Sequence, residues 1–496
     1  MTTDAAASAP TSAQAASGSR YTLLTQFVRV VCKALSVLVV ARLVSPADHG
    51  VYAMAASVTL FLYLFLDLSL GAAAVQAPSL DAARCSALFR LHLLVGIALT
   101  ILTVGAAPLA SHFYGTPDLT PLLAVLSLGF VFNAAGVLPR ALLARQLEFR
   151  ALNRAETIAT LVATAAMLAA AVFGAGAWTF VAFSLVSELL QSLLAWRASA
   201  RPPRVRPDFA AARPLVRNAW RIARYHLLNY FVQQIDIIVA GRLFGAHALG
   251  LYNRASQLLG LPLLHVAGPL SRLALALLSR VPAASPRFVE QSLVSANVIA
   301  HLTLPLAALA IAIPEELVRL ILGNQWPDAA PVLRWLAVST ALTQITHLGH
   351  AICIASDRAQ RLTSVALATL PFVIAAVWLG SRHGIAGIAF GLAATQAILA
   401  VPRLTWLLHG TGVRTRDFLQ ALAGPLAIAI ALALGATLGR ELGSTTSWIW
   451  RLVAAATGSL ILASLLIVIV RRLQTELRRV VDHLPGRRNA PLNNEA

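Results

Sequence analysis

Arg29 and Lys33 lie one helical turn apart in an otherwise apolar run, Tyr21 to Leu43, and with Gln26 and Ser36 they recur at steps of three and four residues. In a helix those steps place all four on one face. Two cations on one face of a membrane-buried helix suit an anion, because a charge-assisted contact is stronger in a low-dielectric site than in water. Adding two hundred to each number gives His226, Asn229, Gln233 and Asp236, polar again within a second apolar run. The chain reads as an internal duplication with a polar face in each half.

Depth gives these positions their meaning. With Tyr21 at the edge of the apolar layer, Arg29 lies about 12 Å deep and Lys33 about 18 Å deep at a rise of about 1.5 Å per residue. An ionisable group at mid-bilayer costs roughly 2.5–3.5 kcal/mol, so it faces a cavity or a partner. Arg29 can alternatively snorkel to the interface, and Lys33 can pair with Asp236, which lies at a similar depth in its own segment. The expected cavity residues are Arg29, Lys33, Gln26, Asn229, Gln233 and Asp236, with Asp67, Gln344 and His347 as further cavity or ion-coupling candidates. Glu188, Gln191, Arg334 and His350 are also polar within apolar runs, although any one such residue is more often a satisfied buried group than a ligand. His347 and His350 share a face but have no third ligand nearby, so no metal is expected, and no cofactor.

The elements that must hold these residues follow from composition. The 496 residues are 58% hydrophobic with a mean hydropathy of +0.74, yet the net charge is +19, carried by arginines and a lone lysine, Lys33. Soluble domains do not combine these values. Apolar runs near the roughly 20 residues that cross a bilayer occupy 21–43, 51–75, 86–109, 119–138, 155–173, 177–196, 221–243, 251–276, 289–312, 329–354, 362–380, 385–408, 418–438 and 448–470, fourteen in all. Pro262, Pro305, Pro371 and Pro425 fall within them as expected kinks. Arg84, then Arg140, Arg145 and Arg150, then Arg197 to Arg217, Arg280 and Arg287, Arg358 and Arg361, and Arg414 and Arg416 occupy alternate connections, while connections such as 174–176 carry no charge. The positive-inside rule makes the basic loops and both termini cytoplasmic. Arginines distributed this way do not form the compact basic surface of a nucleic-acid binder.

The expected organisation is a disordered tail, 1–20; an N-lobe of six spans, 21–196; a basic cytoplasmic linker, 197–220; a C-lobe of six spans, 221–409; two further spans, 410–470; and a basic tail, 471–496. The linker arginines and the arginine pairs of the tail fit retention on the inner side or contact with anionic membrane lipids. Cys32, Cys85 and Cys353 indicate neither disulfides nor zinc. The lone lysine follows Cys32, so a phosphate-binding Gly-x-x-x-x-Gly-Lys loop is absent. The largest outer connection, 313–328, is too short for a catalytic domain, and its Glu315 and Glu316 read as a solvated turn; an enzyme is not expected.

The repeat is plainest where Arg42-Leu43 is followed by Gly50-Val51-Tyr52 and Arg242-Leu243 by Gly250-Leu251-Tyr252. The stretch 41–55, continued through Phe65-Leu66-Asp67 to Gln76, and the stretch Gln234 to Gly245 through Ala255, resemble the polysaccharide-transport branch of bacterial oligosaccharide flippases. That branch sits within the multidrug/oligosaccharidyl-lipid/polysaccharide exporter superfamily. The resemblance runs from about residue 20 to 410. It implies two six-helix lobes plus two extra helices, alternating access, and an oligosaccharide repeat unit on undecaprenyl pyrophosphate as substrate. A polysaccharide polymerase and a chain-length regulator are the expected protein partners. A cationic stripe at mid-membrane agrees with a pyrophosphate. A multidrug or cation antiporter of the same superfamily, a membrane glycan-processing enzyme and a non-transporting component of glycan assembly remain as alternatives; the first would require acidic cavity residues and the second a sizeable outer loop.

Overall fold

A computed structural model describes residues 12–67, 82–199, 209–443 and 447–469. The tail 1–11, residues 68–81 with the end of the first family-like stretch, linker residues 200–208 and the basic tail 470–496 lie outside that set. So do the side chains of Gln26, Asp67, His226 and Asn229. Among the described residues the chain is all α-helical.

Among the described residues eleven stretches are long and apolar enough to cross a membrane, where fourteen were expected. The difference has identifiable sources. The first helix, α1 (Ser12–Leu43), and the 251–276 region fall partly on side chains outside the described set. The helix α11 (Ala329–Ala355) is long enough, but Gln344, His347, His350 and neighbouring threonines lower its mean hydropathy. The expected span 418–438 is among the eleven but starts later: α14 (Thr415–Ala421) is a short turn, and α15 (Ala423–Leu442) begins after it. Pro425 therefore lies in the first turn of α15, where a missing N–H is harmless, and does not kink a span.

The chain forms two compact units, Met1–Gly250 and Leu251–Ala496. In the first unit α1 is followed by α2 (Pro46–Asp67), α3 (Ala82–Tyr114), α4 (Leu119–Leu126), α5 (Leu128–Arg145), α6 (Phe149–Val172), α7 (Trp178–Ala198) and the first part of α8 (Phe209–Leu278). Leu66, Leu99, Phe130 and Ala134 make one buried cluster; Val40, Val44, Met167, Ala171 and Phe180 make another. Neither is an extended core, since each helix also presents apolar surface outward, such as Ile101 on α3 at 67% exposure. A bilayer solvates that surface.

The joint between α1 and α2 shows how the duplication is built. Ser45 caps α2: its hydroxyl accepts from the Asp48 amide at 3.2 Å and donates to the Asp48 carboxylate at 2.6 Å, with Pro46 in the first turn. This pairing satisfies helix-end donors that the chain cannot satisfy itself. Two hundred residues on, the same break falls at Gly245, with φ 75° and ψ −175°, inside the otherwise helical α8. That region belongs almost only to glycine, so the second copy makes by backbone conformation the break that the first makes by capping. The two joints also touch. A Cβ on Gly50 would overlap the Ala246 carbonyl, and one on Gly250 would overlap the Pro46 carbonyl, so each repeat-related glycine receives the backbone of the other repeat. Tyr230, buried on α8, fastens the same region by donating to the Ser57 carbonyl at 2.7 Å.

The second unit contains the rest of α8, α9 (Pro286–Ala312), α10 (Pro314–Ile321), α11, α12 (Gln360–Ser381), α13 (Gly384–Leu408), α14, α15 and α16 (Trp448–Ile469). Its main core joins Phe288, Ile299 and Leu304 of α9 to Leu348 and Ile352 of α11, Leu404 of α13 and Phe418 of α14. Arg358 and Arg361, expected only as orienting charges, also donate to the His409 carbonyl at the end of α13, where cations complement the helix dipole. The glutamate pair is not a solvated turn. Glu315 pairs with Arg334 at 3.3 Å and with Arg440 at 2.9 Å, while Glu316, 4% exposed, pairs with Arg440 at 3.4 Å. This network ties α10 to α11 and to α15, and it accounts for Arg334 without any ligand.

Two outcomes are expected in thermal unfolding of the detergent-solubilised protein. Gly250→Val should cost more than Gly245→Ala, about 3 kcal/mol or more against about 1–3 kcal/mol, because the first forces two backbones apart and the second strains one residue. A Gly250→Val protein that melts as the parent does would contradict the crossing. Glu316→Gln should destabilise by about 2 kcal/mol or more and Glu315→Gln by less, since the contact of the nearly buried Glu316 cannot be replaced by water, whereas Glu315 and Arg334 are partly exposed and are rescreened by solvent; the reverse order would count against the network.

Candidate functional site

The polar face of α1 does not survive as four equivalent groups. Ser36 donates to the Cys32 carbonyl of its own helix at 2.6 Å, as hydroxyls in helices often do. Arg29 pairs with Glu156 on α6 at 2.7 Å, and one turn earlier Thr25 and Thr157 join the same two helices at 3.1 Å. Lys33 is exposed and has no ion pair among the described residues. The stripe resolves into one neutralised cation and one without a counter-charge among the described residues, with about 6 Å of helix between them.

Asp236 and Gln233 belong to the part of α8 that packs in the same unit, Asp236 half-buried and Gln233 exposed. Lys33 and Asp236 form no salt bridge in this conformation. Two carboxylates of the first unit already have partners: Glu156 holds Arg29, and Glu188 on α7 accepts from Asn133 on α5 at 2.9 Å. Gln191 donates to Ser187 at 3.0 Å. Glu188 thus fastens α7 to α5, and Gln191 is satisfied within α7.

In the second unit the polar face of α11 carries Gln344, half-buried, His347, exposed, and His350, half-buried. The imidazoles lie 5.0 Å apart between ring centroids. The buried side of the helix is Leu348, Gly349, Ile352 and Cys353. A helix apolar on its packed side and polar on its open side is shaped for a wetted cavity, since lipid does not solvate histidine and glutamine. Among the described residues there is no group of three or more His, Cys, Asp or Glu residues that could hold a metal.

Sequence reasoning missed Glu156, Arg403 and Arg440. Each is a charge within or at the edge of an apolar run, the same signal that singled out Lys33. Glu156 escaped notice because it lies in the first turn of its run and Arg440 because it follows the expected end of its own. Arg403 lies inside α13 and carried the same warning as Lys33.

Residues 39–331 match the polysaccharide biosynthesis protein family. The teichuronic acid biosynthesis protein TuaB of Bacillus subtilis is 24% identical, over 94% of this chain and 98% of its own. The lipopolysaccharide biosynthesis protein WzxC of Escherichia coli is 22% identical, over 77% of this chain and 78% of its own. Among solved structures, the lipid II flippase MurJ in an inward closed conformation superposes with a TM-score of 0.65 at 15% identity, covering 92% of this chain and 99% of that one, a likeness of fold. The helices, the polar faces they carry and these similarities converge: the chain is a multi-pass membrane protein that belongs to the polysaccharide biosynthesis protein family.

Proposed function

We propose that this transporter moves an oligosaccharide repeat unit, linked to undecaprenyl pyrophosphate, from the cytoplasmic to the outer leaflet of the bacterial inner membrane for polysaccharide assembly. The observation that carries this reading is Lys33: a cation in the first helix, exposed, without a carboxylate partner among the described residues, and one turn from Arg29. A pyrophosphate supplies the missing negative charge. The names of the relatives, a teichuronic acid and a lipopolysaccharide biosynthesis protein, support a glycan as cargo.

In this reading the repeat-related lobes, 21–196 and 221–409, are joined by the basic linker 197–220 and rock about a central cavity, with both termini cytoplasmic. Asn229, Gln233, Gln26 and Gln344 give the sugar a polar wall, while the prenyl chain stays in lipid. Asp67, Asp236 and His347 are the groups available for coupling to an ion gradient. A polymerase and a chain-length regulator take over the product outside. A cation antiporter is the weaker reading, because Glu156 and Glu188 are already engaged by Arg29 and Asn133.

Arg29→Ala combined with Lys33→Ala should abolish polysaccharide export in a complementation assay while membrane insertion persists. Lys33→Ala alone should lower export about tenfold or more, the size of one lost charge-assisted contact. Normal export by the inserted double variant would overturn the site. If Asp236→Asn reproduces the full loss of Lys33→Ala, Lys33 serves Asp236 and not the substrate.

A further inference from the structure

Arg403 is in α13, five residues before the helix ends at Leu408, and is half-buried. Its guanidinium does not reach for the near end of the helix. Nε donates to the Leu399 carbonyl at 3.2 Å and Nη2 to the Gln396 side-chain oxygen, both back along the helix and deeper into the span. Gln396 and Arg403, about two turns apart, share a face. On the opposite face Ile398 and Val401 are 69% and 51% exposed and meet the lipid. Arg403 therefore points away from the hydrocarbon side of its helix.

The neighbouring helix on that side is α11, which packs against α13. There His347 and His350 lie 5.0 Å apart, and Gly349 between them packs against Leu404 and Leu407, in the same turn of α13 as Arg403, so that the guanidinium charge reaches both rings. Neither imidazole has a hydrogen-bond partner among the described residues, and Arg403 has no carboxylate there, whereas Arg29, Arg334 and Arg440 each have one. A cation inside a span without a counter-charge carries a free-energy cost. An oxyanion removes it: guanidinium and imidazole N–H groups are all donors, and a phosphate accepts several hydrogen bonds at once.

We infer that Arg403, His347 and His350 form an oxyanion subsite on the second unit, which holds a phosphate group of the transported lipid-linked saccharide; this rests on the proposed function. Gln396 positions the guanidinium.

The full-length protein in phosphatidylcholine nanodiscs tests it, with farnesyl pyrophosphate, farnesol and phosphatidylglycerol as probes and native mass spectrometry as readout. The parent should bind farnesyl pyrophosphate at least about tenfold more tightly than farnesol, and Arg403→Gln should lose about tenfold of that preference, while Arg403→Lys keeps most of it. Farnesol binding, unchanged in both variants, reports an intact fold; should Arg403→Gln lose it as well, His347→Ala with His350→Ala takes its place, with the same expected loss. A parental preference in the variant overturns the subsite and leaves the transport reading standing. A parent that does not distinguish farnesyl pyrophosphate from farnesol overturns both. A variant that loses only phosphatidylglycerol assigns the site to bilayer headgroups and overturns the substrate assignment.

Discussion

A charge inside a bilayer must be paired, hydrogen-bonded or wetted, and the arrangement of this protein follows from how each of its charges meets that demand. Glu315, Glu316, Arg334 and Arg440 satisfy one another and bind a short helix to two long ones. Arg29 and Glu156 join α1 to α6, and Glu188 and Asn133 join α5 to α7. Lys33 and Arg403 are left with no carboxylate among the described residues. Structural charges and candidate functional charges are thus separated by one criterion, the presence of a partner, and not by depth or residue type.

The second constraint is close approach of backbones. Gly50 and Gly250 allow two repeat-related joints to meet carbonyl to Cα, a contact that any side chain would prevent. The adjoining helix breaks use different chemistry, a serine–aspartate cap in one copy and a glycine conformation in the other, yet fall at positions two hundred residues apart. A duplicated architecture has kept the geometry of the joint while its chemistry diverged. Lipid offers helices no hydrophobic drive to associate, so small residues and dispersed polar contacts do the joining that a large apolar core does in water.

Apolar runs, their helical spacing and the alternation of arginines between loops are local properties, and with two short signatures they were enough to read an all-helical membrane protein, a duplicated chain and its family from residues alone. The polar faces of α1 and α11 were legible for the same reason: a step of three or four places side chains together whatever the tertiary fold. Partnership is not local. Glu156 is more than a hundred residues from Arg29, as Arg440 is from Glu315, and no periodicity in either segment announces the match. Only the packing of helices decided that Arg29 is neutralised while Lys33 has no carboxylate among the described residues, that Glu315 and Glu316 tether three helices, and that Arg403 bends inward beside two histidines, because the energy of a charge depends on what stands within a few ångströms of it and not on its neighbours along the chain.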